Sequence, residues 1–303
     1  MPGDSDTRQL QCLEVWGGNE PARQSVSLSG LDAWVEAIPH AKSAAGGDVH
    51  YLSSCAAGQV TRMFLADVSG HGDHVAEIAR SLRMLMRQHV NHHSQVSFVK
   101  RMNKTFTEQS ASGIFATAVV CTYYAPKSEL SICNAGHPPP LWYQAATKRW
   151  QFLVSDDARL EELDREADAA SDGPSNIPLG ILDMASYDQV RVKLADGDRV
   201  LCYTDSLIEA RQSSGEMLGI DGVLEIANSL PATTPAMFIE TLWAALRDRA
   251  GDTLLNDDVT LVLITPNRTT RRDTFWNKVY APIRVIHHFL KHRRDDTRRF
   301  ARH

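Results

Sequence analysis

The sequence predicts an α+β protein in which antiparallel sheets pack face to face with helices outside. Three observations carry this. Strand-like runs, alternating or wholly apolar, flank separate pairs of helical segments. The intervals between strands are long and lack the strand–helix–strand rhythm of a parallel sheet. The composition is that of an ordinary globular chain: 303 residues, 43% hydrophobic and 23% charged, enough for one large domain or two modest ones.

Taken in order, residues 1–29 form a polar N-terminal segment broken by Gly17-Gly18-Asn19 and Pro21, with Leu10–Trp16 readable as a short strand or a helical turn. Asp32–Ile38 reads as a strand. Gly46-Gly47-Asp48 opens a second, Val49–Ser54, which pairs with Val60–Ala66 through a turn at Gly58. Residues 74–90 and 95–110 read as consecutive helices, the second with its apolar stripe at Val96, Val99, Met102 and Phe106. His92 and His93 between them read as solvated loop residues.

Strands resume at Phe115–Tyr124, Glu129–Asn134 and Leu141–Tyr143. Residues 155–173, rich in Asp, Glu and Ala, break the rhythm and read as an acidic insertion. Tyr187–Leu194 and Arg199–Thr204 are strands, and a short helix starts near Ser206. Two more helices follow at 221–230 and 235–250, and Val259–Ile264 is the last strand.

Composition narrows the function. The net charge of −5 sets up no global basic field for nucleic acid, and no apolar run approaches the roughly 20 residues of a membrane span. Residues 1–10 lack the basic-then-apolar layout of a signal peptide. The five cysteines form no CxxC pair, and Cys121, Cys133 and Cys202 lie in apolar runs that suit buried, reduced thiols. A cytoplasmic protein is expected. Charge is uneven, however: residues 268–303 carry eleven Lys/Arg against three Asp.

The chemistry gathers at strand ends. Asp67 closes the apolar run Met63-Phe64-Leu65-Ala66 and is followed by Val68-Ser69-Gly70-His71-Gly72 and then a helix. Asp48, Asp205 and the pair Asp257-Asp258 likewise stand where predicted strands begin or end. Clustered Asp oxygens without His or Cys suit a hard divalent ion such as Mg²⁺ or Mn²⁺. Two such ions sharing a carboxylate would lower the pKa of a water and clamp a phosphoryl group. Four independent turn aspartates would produce the same spacing, so the residues alone leave both readings open.

The segments Gly46-Gly47-Asp48, Asp67–Gly72, Phe115–Ala118, Asn134–Pro140, Pro178-Leu179-Gly180, Gly197–Asp205 and Asp257–Thr260 resemble, in family order, the metal-dependent PPM (type 2C) serine/threonine protein phosphatases, and more closely their bacterial SpoIIE-like branch. The resemblance covers roughly residues 30–265. It implies a four-layer α-β-β-α sandwich over residues 30–266; the basic amphipathic tail at 267–303 lies outside the resemblance. It implies two Mn²⁺ or Mg²⁺ ions and hydrolysis of phosphoserine or phosphothreonine on a protein by a metal-activated water. Asp67 matches the bridging carboxylate, Val68 lends its carbonyl, Asp205 and Asp257 match further ligands, and Asp48 matches the upstream acidic residue. Asp258 supports the last ligand, with a slip of one residue between 257 and 258 left open. Catalytic weight falls on Asp67, Asp205 and Asp257. The implied substrate is a phosphorylated regulatory protein, in this branch often an anti-sigma-factor antagonist of a partner-switching circuit.

One departure stands out. The family has Thr-Asp-Gly where this chain has Thr204-Asp205-Ser206, and a left-handed backbone at Ser206 would cost on the order of 1 kcal/mol. That motivates the alternative of a catalytically weak pseudophosphatase that binds phosphoproteins. His71 reads as a turn residue rather than a general acid, and His137 as a turn cap. Ser69 lacks any nucleophile elbow. In the tail, Phe275, Val279, Ile283, Ile286 and Leu290 recur at helical spacing among basic residues, and Pro282 would kink a helix there. Docking on the acidic domain, binding an anionic membrane surface, and binding a partner protein or nucleic acid are the competing readings. No sensor domain is expected ahead of residue 30. Regulation is therefore expected from a separate partner, a homodimer or the tail, with residues 74–110 as the moving helices.

Overall fold

The computed structural model describes residues 7–9, 15–40, 43–55, 59–70, 72–89, 94–109, 113–153 and 174–267. The acidic insertion, residues 268–303 of the basic tail, His71 and the His92-His93 pair lie outside the described residues.

Two sheets stack face to face. The first runs β1 (Thr7–Gln9), β3 (Ala22–Leu28), β4 (Leu31–Ile38), β13 (Val259–Pro266), β12 (Arg199–Tyr203), β9 (Leu141–Gln144), β10 (Arg149–Phe152). The second runs β11 (Gln189–Lys193), β8 (Glu129–Ala135), β7 (Ala116–Tyr124), β6 (Val60–Val68), β5 (Asp48–Cys55), β2 (Val15–Gly18). Pairing is antiparallel except between β1 and β3. Helices α1 (Asp73–His89) and α2 (Gln95–Gln109) cover the second sheet. Helices α4 (Gly219–Ser229) and α5 (Pro235–Ala250) cover the first, beside the single-turn α3 (Ser206–Glu209). The result is the four-layer α-β-β-α sandwich.

The period of two along each strand sorts side chains into separate cores. Met63 and Leu65 of β6 face the other sheet, in a core with Val119, Cys121, Val200, Cys202, Val262 and Ile264. The intervening Phe64, Ala66 and Val68 face α1 and α2. Helices α4 and α5 close a third core over β12 and β13, with Trp150 stacked on Phe238 at 4.8 Å. The free thiols Cys121, Cys133 and Cys202 are all buried.

The polar stretch before residue 30 contributes β2 to one sheet and β3 to the other. The strand alternative at Leu10–Trp16 overlaps the start of β2, whereas β3, Ala-Arg-Gln-Ser-Val-Ser-Leu, escaped the sequence reading because its first half is largely exposed and it carries few apolar residues. The short strand β10 was also missed; its Trp150 is its one deeply buried side chain.

Candidate metal centre

At one end of the sandwich the apolar inner faces give way to polar residues in the same alternation. Asp67 continues the row of Met63 and Leu65, Thr117 that of Val119 and Cys121, Thr204 that of Val200 and Cys202, and Thr260 that of Val262 and Ile264. The β5–β6 register sets Asp48 directly opposite Asp67, and the β6–β7 register sets Asp67 opposite Thr117. Directly opposed residues on one face hold their Cβ atoms about 5 Å apart, so two carboxylates are forced together by strand pairing alone.

The turn after β6 re-aims the chain. Gly70 and Gly72 take φ of +101° and +96°, where a Cβ would be strained, and the chain then enters α1. Ser69 closes the turn on Phe115: its N–H donates to the Phe115 carbonyl at 2.9 Å, and its Oγ accepts from the Phe115 N–H at 3.1 Å. Ser69 is thus a turn clamp. The second loop lies against the first. A Cβ at Gly47 would stand 3.1 Å from the Val68 carbonyl oxygen and 2.9 Å from Val75 Cγ1, so glycine there leaves that carbonyl uncovered.

Asp257 and Asp258 are split by their surroundings. Asp258 is buried, and both carboxylate oxygens accept backbone N–H groups, from His40 at 2.6 Å and from Gly47 at 2.5 Å. Asp257 is exposed, with one oxygen accepting the Asp258 N–H at 2.8 Å. A Cβ at Gly46 would fall on the Asp258 carboxylate. Gly46→Ala is therefore expected to cost about 1–3 kcal/mol by overpacking, read as a lowered thermal midpoint.

Asp205 caps the start of α3, its carbonyl accepting from Ile208 and Glu209 at 2.8 and 2.9 Å. Ser206 opens that turn in ordinary right-handed conformation. Among the described residues only Ser128, Lys148 and Asn176 take positive φ without being glycine. The strain expected at Ser206 is absent, because this chain begins a helix where a glycine turn was anticipated.

Electrostatically the end is one-sided. Burial, then the charges of Asp205, Asp257, Asp258 and Glu209, push Asp67 up to about 8. Burial, Glu209 and Asp257 push Asp205 up to about 6. Burial and Asp67 hold Asp48 well above the carboxylate range, opposed by hydroxyls of Thr260 and Thr204. One oxygen of Asp48, Oδ1, is buried without a hydrogen-bond partner. Among the described residues no three His, Cys, Asp or Glu side chains converge closely enough to hold an ion by themselves. The donor chemistry nevertheless fits hard ions that keep several waters: carboxylates of one sign, one of them with a bare buried oxygen.

His137 is buried, and its Nδ1 meets Thr117 Oγ1 at 2.9 Å. The turn around it is capped by Asn134, whose side chain bonds the His137 N–H and carbonyl at 2.8 Å each. The capping role expected of His137 therefore falls to Asn134. Burial lowers His137 to about 3, the Tyr203 backbone acting the other way. Above pH 6.5 the folded and unfolded chains both carry it neutral. Below that only the unfolded chain takes the proton, so stability falls with pH by about 1.4 kcal/mol per unit down to the folded value. His137→Gln is expected to remove about 1 kcal/mol of the stability difference between about pH 7 and pH 5.5, read from urea midpoints.

Two contributors went unrecognised in the sequence. Asn19 is buried, and its side chain donates to the carbonyls of Gly46 at 2.9 Å and Ala76 at 3.0 Å, tying the second loop to α1. Its only local signal is the glycine pair before it. Glu209 adds its charge to Asp67 and Asp205; its signal was its place one helical turn after Asp205.

A two-sheet sandwich with a carboxylate-lined end defines the class, and comparison with known proteins gives the family. The profile of the Stage II sporulation protein E (SpoIIE) family matches residues 57–267, and the chain belongs to that family. Phosphoserine phosphatase RsbU of Bacillus subtilis (strain 168) is 23% identical over 237 residues, covering 77% of this chain and 63% of RsbU. The crystal structure of the RsbU and RsbW domains of a Mycobacterium tuberculosis protein aligns with a TM-score of 0.62 at 26% identity, over 81% of this chain and 63% of that one. The catalytic domain of the serine/threonine protein phosphatase PstP, solved with two manganese ions, aligns with a TM-score of 0.51 at 14% identity, over 79% of this chain and 99% of that one. The chain thus spans just under two thirds of the RsbU relative and of the mycobacterial neighbour.

Proposed function

We propose that this chain is a divalent-metal-dependent phosphatase that removes phosphate from serine or threonine of a regulatory protein. The observation that carries the reading is the pairing of Asp48 with Asp67 across β5 and β6, one buried oxygen left bare, at an end where Asp205, Asp257 and Glu209 add only negative charge. Asp67, with Asp48, Asp205 and Asp257 and the Val68 carbonyl, would hold the ions directly or through water. Asp258, with both oxygens on backbone N–H groups, positions the Gly46-Gly47 loop beside Asp257. Bound Mn²⁺ or Mg²⁺ supplies a water made nucleophilic at neutral pH and positive charge for the phosphoryl oxygens. The chain's own residues do the rest: strand pairing fixes Asp48 against Asp67, and glycine at 47 keeps a side chain off the Val68 carbonyl.

The substrate class is supported by the phosphoserine phosphatase relative and by the RsbW domain in the mycobacterial neighbour. A phosphorylated anti-sigma-factor antagonist of a partner-switching circuit fits both. The catalytic unit takes in β2 and β3 as well as residues 30–266. Among the described residues no helix is long and apolar enough to cross a membrane. The basic stretch 268–303 is proposed to dock on this acidic end. Salt-dependent binding of the isolated tail to anionic vesicles would favour the membrane reading instead. The pseudophosphatase alternative loses its motive, since Ser206 is unstrained. The test is turnover of p-nitrophenyl phosphate by the purified chain: Mn²⁺-dependent and stopped by EDTA is expected, and none at any Mn²⁺ concentration overturns the reading.

A further inference from the structure

Thr204 lies one residue past β12 and has no exposed surface. Its backbone N–H donates to the Thr260 carbonyl at 3.1 Å, as the β12–β13 ladder requires. The return bond is unusual. The Thr260 N–H donates at 2.9 Å to the Thr204 side-chain Oγ1 rather than to its carbonyl. A hydroxyl carries one proton, and an N–H can only donate, so Oγ1 accepts there and its own proton goes elsewhere. The near acceptor is Asp48 Oδ2 at 2.9 Å, on the opposite sheet and 156 positions away in sequence; Ser206 Oγ is farther, at 3.4 Å. With Asp48 ionised, as a carboxylate that holds a cation is, Oγ1 is the donor of this bond.

Two consequences meet at Asp48. Its Oδ2 is occupied by a bond that crosses from one sheet to the other, the Thr260 hydroxyl also favours the charged carboxylate, and its Oδ1 is the buried oxygen without a hydrogen-bond partner. The carboxylate is thus held in one rotation, beside Asp67, with a single oxygen left over. We infer that Thr204 is a positioning residue for metal binding: its hydroxyl fixes Asp48 from the opposite sheet so that Oδ1 is presented, preorganised, to a divalent ion or to that ion's water. The inference rests on the metal-dependent reading above. It adds a residue that touches neither ion nor substrate and acts only through Asp48. Partners that orient a ligand typically contribute about 10–100-fold in metal affinity.

The test is a calorimetric Mn²⁺ titration of the full chain, without substrate, for wild type, Thr204→Val, Thr204→Ser, Asp48→Asn and the Asp48→Asn/Thr204→Val double variant. Thr204→Val keeps the shape but deletes both the donor to Asp48 and the acceptor of the Thr260 N–H; it is expected to weaken Mn²⁺ binding about tenfold or more, its loss of folding stability being read separately in the metal-free protein. Thr204→Ser restores the hydroxyl and is expected within about threefold of wild type. In the Asp48→Asn background the valine is expected to add little, because Thr204 acts through the carboxylate. Wild-type affinity in Thr204→Val overturns the inference while leaving the metal reading standing, as does equal loss in the serine and valine variants. A wild-type chain that binds no Mn²⁺ overturns both. Metal-free circular dichroism checks folding. Should the valine variant not fold, Thr204→Cys, of similar volume and with a weak donor, is read against serine in the same titration.

Discussion

Replacing Asp67 by Asn is expected to lower Mn²⁺-dependent phosphate-ester hydrolysis by about 10³-fold or more, while making the metal-free protein more stable. Both effects come from one geometry. Asp67 faces Asp48 across the β5–β6 pair and lies within the fields of Asp205, Asp257, Asp258 and Glu209. Without a cation these charges repel in a largely buried setting; with one they become its ligands. The amide has nearly the same shape but no charge. It relieves the repulsion and forfeits the ligand. A gain of roughly 1–2 kcal/mol in EDTA is expected. That corresponds to a thermal midpoint higher by about 2–8 °C. Mn²⁺ should stabilise the wild type and leave the variant nearly unmoved, since a ligand stabilises only the state that binds it. An unchanged midpoint in EDTA together with full Mn²⁺-dependent turnover would contradict the assignment of Asp67.

The adjacent residues Asp257 and Asp258 are expected to behave in opposite ways. Asp258→Ala removes a buried carboxylate that accepts the His40 and Gly47 N–H groups, leaving two donors without partners. Loss of a buried, charge-assisted pair of this kind costs about 3 kcal/mol or more. The variant should melt well below wild type whether or not metal is present. Asp257 is exposed and gives one oxygen to the neighbouring N–H, so Asp257→Ala should change metal-free stability by less than about 1 kcal/mol. Its deficit should appear in Mn²⁺ affinity and turnover instead. Melting curves in EDTA and Mn²⁺ titrations on the two variants separate the roles. The reverse pattern would exchange the two assignments.

Much of this was legible in the chain. The runs Met63–Ala66 and Val259–Ile264 and the paired segments 74–90 and 95–110 carry periodicities that only one local geometry can bury, and over their described residues they fold as read. The strand β3 was not, because an edge-facing half with Arg23 and Gln24 carries no periodic signal until its partner β4 is known. The candidate site divides in the same way. Its aspartates were visible as carboxylates closing apolar strands, and the glycine loops as turns.

What the sequence determined by itself was therefore local: most of the strands and helices, and that Asp48, Asp67, Asp205 and Asp257-Asp258 stand where strands begin or end. Backbone period and turn chemistry act over a few residues, so they are written in neighbouring letters. The tertiary structure alone decided which groups meet. It set Asp48 against Asp67 by register and gave Asp258 to the backbone and Asp257 to solvent. It brought Asn19 beneath Gly46 and the Thr204 hydroxyl across the sandwich to Asp48. Those contacts depend on how two sheets lie on one another, and that distance is set by the whole packed core rather than by any stretch of chain.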